Sequence, residues 1–110
     1  MRSLEPEDPV VVLCTAPSDE VAASLARGLV EGRLAACVSL LGGLRSIYRW
    51  QGAVEDASEV QLVVKTRAAR LPDIEAFLRE HHPYEVPELL ALPVAAGGAA
   101  YLAWLSEQSR

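Results

Sequence analysis

Two cysteines and two adjacent histidines are the side chains here that could hold a soft or borderline metal ion: Cys14, Cys37, His81 and His82. Thiolate sulfur and imidazole nitrogen suit copper or zinc, whereas magnesium and calcium take oxygen ligands. Each residue also has a plainer reading. A free cysteine is commonly a small buried apolar residue. His81 shares helical spacing with Ile74, Phe77 and Leu78, so a neutral imidazole on an apolar helix face would account for it. His82 precedes Pro83, and a proline disfavours helical geometry in the residue before it. His82 therefore leaves the helix that His81 ends, and it can line the edge of a cleft.

Aromatic residues are scarce, six in all. Tyr48 and Trp50 alternate on one face at the end of a strand and Tyr84 follows the helix end, positions that either anchor a partner or line a pocket. Lys65 is the only lysine in a chain with nine arginines, so it has either a lysine-specific role or the ordinary one of a strand residue facing water. There is no Gly-rich phosphate loop ending in Gly-Lys-Ser/Thr, no nucleophile elbow, no HExxH and no paired CxxC. Enzyme classes built on those motifs lose their support.

The elements that must position these groups follow from apolar periodicity. Val10 to Thr15 is a continuous β-branched run, the pattern of a central strand covered on both faces or abutting another subunit. Ser18 or Asp19 can cap a helix carrying Val21, Leu25 and Leu29, and Gly32 stands where a left-handed C-terminal residue is wanted. Leu34 to Leu41 reads as a second strand, broken at Gly42-Gly43 and resumed over Leu44 to Trp50, with a reversal at Gly52. Glu59 to Thr66 is a third strand, with Val60, Leu62 and Val64 on one face and Gln61, Val63 and Lys65 on the other. Pro72 fits the first turn of a second helix. Glu88 to Val94 gives a fourth strand and Ala100 to Glu107 a terminal helix. The order β-α-β-β-α-β plus a helix is the split β-α-β arrangement of an α+β, ferredoxin-like sandwich with a long hairpin.

The 110 residues suit one domain, 10–110, behind an acidic, proline-containing leader at 1–9 that reads as mobile. A net charge of −5 without a basic stripe argues against nucleic acid. No signal peptide is visible, and apolar runs fall far short of the ~20 residues that cross a bilayer as a helix. The expectation is a cytoplasmic protein off the membrane, with free thiols.

Five stretches together resemble the CutA divalent-cation tolerance family: VVLCTAPS at Val11 to Ser18, RLAACVSLLGGLRSIYRWQG at Arg33 to Gly52, SEVQLVVKT at Ser58 to Thr66, HHPYEVPELLALPV at His81 to Val94, and YLAWL at Tyr101 to Leu105. The resemblance implies a homotrimer similar to PII signalling proteins, with no enzyme activity and a role in the response to metal ions. It also implies copper, or zinc or another divalent cation, at Cys14, His81 and His82, with Cys37 structural. A second class of function stays open, a PII-like module binding a small molecule in an inter-subunit cleft near Tyr48, Trp50, Glu59, Lys65 and Tyr84.

Overall fold

Val10, Val11 and Val12 favour pleated backbone, and Pro9–Ala16 forms strand β1, with alternate side chains buried. In the computed structural model, which describes residues 4–110, there follow helix α1 (Asp19–Glu31), β2 (Cys37–Trp50), β3 (Ala53–Arg67), a 3-10 turn (Ala68–Arg70), α2 (Leu71–His81), β4 (Leu90–Pro93) and α3 (Ala99–Gln108). The four strands make one antiparallel sheet in the order β2-β3-β1-β4. That element order is the α+β arrangement expected from the sequence.

The core joins one sheet face to two helices. Val10, Val12 and Cys14 of β1 and Val60, Leu62 and Val64 of β3 are buried against Ala22, Leu25 and Leu29 of α1 and Ile74 and Leu78 of α2. Val11, Leu13, Gln61, Val63 and Lys65 lie half-buried on the opposite face, matching the alternation read for β3. Ser18 caps α1 by accepting the Val21 N–H at 3.2 Å.

Several boundaries differ from the sequence reading, each for a local reason. Gly32 is not left-handed (φ −80°); that conformation falls to Arg33, at φ 60°. The Arg33 guanidinium compensates by donating to the carbonyls of Glu107 and Arg110 at 2.7 and 3.2 Å. Leu34 to Ala36 precede the second strand rather than open it. Gly42-Gly43 does not break that strand; it forms a bulge, with the register shifting between Leu41 and Leu44 and Gly43 at φ 74°. β3 begins at Ala53, because the two-residue turn Gln51-Gly52, both at positive φ, keeps Trp50 paired with Ala53. β4 starts only at Leu90, after the loop that contains Pro83 and Pro87.

Residues 1–3 of the expected leader lie outside the described residues. Pro9 already belongs to β1, and the Pro6 and Asp8 carbonyls accept the Ala69 and Ala68 N–H at 2.9 and 2.8 Å. Arg67 is buried yet satisfied, by the Glu7 carboxylate at 3.1 Å and the Ser109 carbonyl at 2.6 Å.

Candidate functional site

A cleft of about 600 Å³ opens where the far end of the β2–β3 ribbon faces the loop between α2 and β4. Tyr48 and Trp50 come from β2, two residues apart and so on one side of the strand, as their alternation predicts. Glu59 comes from β3, Thr15 from the end of β1, and Tyr84, Glu85 and Glu88 from the loop. The lining holds three glutamates and no Lys, Arg or His.

A relay of hydrogen bonds fixes the inner wall. His82 caps α2 in extended geometry (φ −79°, ψ 136°), as a residue before proline must. Its Nε2 meets the Thr15 carbonyl at 2.8 Å, and its Nδ1 accepts the Tyr84 N–H at 3.0 Å. A carbonyl can only accept and an amide can only donate, so the ring is neutral with its proton on Nε2. The Tyr84 hydroxyl donates to Glu59 Oε2 at 2.7 Å. Burial first, and then that carboxylate, push the Tyr84 phenol well above its ordinary range. Glu59 is only 7% exposed. Glu88 Oε2 is buried too, and no donor among the described residues reaches it.

Cys14 is buried on the helix-facing side of β1, its thiol 3.7 Å from the same Thr15 carbonyl that His82 meets. Burial, reinforced by the negative charges of Glu88 and Glu59, pushes that thiol up to about 12. Two of the three proposed ligands thus share one carbonyl. His81 does not join them: half-exposed, it packs against Phe77 with ring centroids 4.5 Å apart and planes tilted by 42°, and lines a separate hollow with Val21, Leu25 and Gly28 of α1. Both ring nitrogens of His82 are engaged, and no three His, Cys, Asp or Glu side chains among the described residues are grouped to hold an ion. Within one chain, then, the trio does not form a ready-made metal centre.

Cys37, at the start of β2, pairs with Lys65, two strands from Cys14, and both thiols are free. Lys65 donates to Ser39 at 2.6 Å and does not line this cleft within one chain, whereas Tyr48, Trp50, Glu59 and Tyr84 do; the cleft expected from the sequence lies between subunits. Glu85 and Glu88 were not anticipated. Pro83 and Pro87, which bracket the loop, were the available signal.

Comparison with known proteins gives this arrangement its context. The family model described as CutA1 divalent ion tolerance protein matches residues 10–108. The chain belongs to the CutA1 divalent ion tolerance family. A CutA divalent-cation tolerance protein of Pectobacterium atrosepticum is 50% identical over 103 residues, 94% of each chain. The structure of the CutA1 protein of Thermus thermophilus superposes with a TM-score of 0.90 at 50% identity, covering 93% of this chain and 99% of that one. A CutA from Archaeoglobus fulgidus, described as periplasmic, gives 0.89 at 32% identity over 93% of this chain and 99% of that one. The family is a non-enzymatic one, described by divalent ion tolerance. No helix among the described residues is long and apolar enough to cross a membrane.

Proposed function

We propose that this divalent-cation tolerance protein works in the cytoplasm as a homotrimer that takes up copper, or zinc or another divalent cation, as cargo in the response to metal ions. The observation that carries the metal reading is the meeting of Cys14 and His82 at the Thr15 carbonyl. A thiol and an imidazole so placed are a soft and a borderline donor for copper or zinc. A cation entering there must displace the Thr15 carbonyl from His82 and the proton from Cys14, which suits reversible loading better than a permanent centre. His81 completes the set only if the 81–84 segment turns or another subunit supplies it. Trimer formation is supported by the unpaired outer edge of β2 and by exposed Leu40, Leu41, Ile47, Leu90 and Leu92, since a long apolar edge is an aggregation hazard until another chain covers it.

The test is copper titration of untagged protein shown by light scattering to have three times the 11.9 kDa chain mass. Cys14→Ser and His82→Ala should each weaken copper binding by about tenfold or more, the loss of at least ~1.4 kcal/mol. Cys37→Ser should leave it intact. Equal affinity in wild type, Cys14→Ser, His81→Ala and His82→Ala would place the cation elsewhere.

A second reading is favoured by the cleft itself: the trimer acts as a PII-like module whose signal is a small molecule held beside Tyr48, Trp50, Glu59 and Tyr84. The cleft volume falls within the range of about 300–1,000 Å³ usual for small-ligand sites. Ligand binding indifferent to a chelator would select this reading.

A further inference from the structure

The chemistry of the cleft wall is one-sided. Trp50, Tyr48 and Tyr84 present aromatic surface, three glutamates supply negative charge, and no lining side chain is cationic. The inner carboxylates differ in how they are satisfied. Glu59 is held by the Tyr84 hydroxyl, whereas Glu88 keeps a buried oxygen that no donor among the described residues reaches. A buried carboxylate oxygen without a donor is costly and calls for an explanation. That oxygen is closed to solvent, so a ligand that brings the donor must draw the Glu88 carboxylate round to face the cleft.

We infer that the cleft is a binding site for a small organic cation, an aliphatic amine whose ammonium donates to Glu88 and whose methylenes lie against Trp50 and Tyr48. This inference rests on the second reading above, that the cleft holds a small molecule. Aromatic faces attract cations through the ring quadrupole, and tryptophan does so best. The carboxylate fixes one end of the amine, and exposed Glu85 offers a partner for a second ammonium. A hard inorganic cation is a poorer match. Calcium takes six to eight oxygens and magnesium an octahedron, and here much of the wall is aromatic ring or proline, with no group of three metal-binding side chains. Anions are excluded by charge.

Isothermal titration of EDTA-treated protein with three probes of similar length tests this: 1,4-diaminobutane, 1,4-butanediol and butanedioate. The diamine should bind saturably, at one per chain, at least about tenfold more tightly than the diol, with no binding of the dianion. Glu88→Gln conserves shape and should lower diamine affinity by about tenfold or more. Trp50→Phe should weaken it less, and circular dichroism and solution mass should stay those of the wild type for both variants. Diol or butanedioate binding as tightly as the diamine, and weakened by Trp50→Phe, would keep the cleft as a small-molecule site but overturn the amine. Diamine binding unchanged in Glu88→Gln would overturn the assignment of the ammonium to that carboxylate. Failure of all three probes to bind would overturn the inference together with the reading beneath it.

Discussion

His82 spends both ring nitrogens on backbone groups and leaves Tyr84 positioned to reach Glu59. Removing the phenolic hydroxyl should therefore be felt as an unsatisfied buried carboxylate. Tyr84→Phe should lower unfolding stability by about 1–3 kcal/mol in urea titration, while Tyr48→Phe, which leaves that bond alone, should not. Cys14 supplies a test by pH. Its folded-state value is raised, so the native state holds its proton where the unfolded chain releases it. The resulting stability is complete below the ordinary thiol value of about 8.5 and is lost as pH rises through the folded value of about 12. Metal-free Cys14→Ala should show a shallower alkaline fall in stability than wild type. In native protein at neutral pH a thiol reagent should label half-buried Cys37 and spare Cys14. At this scale the sequence offered the donor types but not which of them meet. His81 and His82 are adjacent, yet the departure from helix before Pro83 leaves His81 beside α1 and turns His82 inward to the Thr15 carbonyl. Nothing local to HHPY says that Cys14 shares the Thr15 carbonyl with His82.

Among the elements, α1 and α2 touch where Gly28 faces Phe77. A β-carbon at Gly28 would stand 2.7 Å from the Phe77 Cζ, closer than packed atoms come, and Phe77 is itself packed against His81. Overpacking of this kind typically costs about 1–3 kcal/mol, and alanine returns only about 1 kcal/mol of helix propensity over glycine. Gly28→Ala should thus be mildly destabilising in thermal melts, and Gly28→Ala with Phe77→Leu less so than the sum of the two single changes. Periodicity revealed the four strands and three α-helices of the described residues, because buried and half-buried residues alternate or recur at fixed spacing, but not the 3-10 turn at Ala68–Arg70. Ends were less legible. The outer β3 residues Val54 to Ser58 are mostly polar, so only their pairing across the Gln51-Gly52 turn makes them strand. The bulge at Gly42-Gly43 looked like an interruption because two glycines signal either, and register with β3 decides between them.

At the level of the whole molecule, β2 and β4 are the edge strands of the sheet, their outer edges without a partner among the described residues, which measure 43 × 33 × 24 Å. Ile47 and Val54, both over 60% exposed, sit on a ribbon that projects past the core. An assembly that pairs this edge should persist at micromolar concentration, and light scattering should then return three times the chain mass with no smaller species. A mass equal to one chain would remove the trimer from the proposed function. The ribbon beyond the Gly42-Gly43 bulge also works as a clock. Its amides, from Leu44 to Ser58, have little of the core packed over them, so in a lone chain they would take up deuterium as fast as the ribbon frays. Within an assembly they would wait for a neighbour to leave. Diluting the protein should quicken exchange across residues 44–58 while leaving Val12 and Leu62 in the core unmoved, and a ribbon that exchanges at one rate at every concentration has no neighbour to lose.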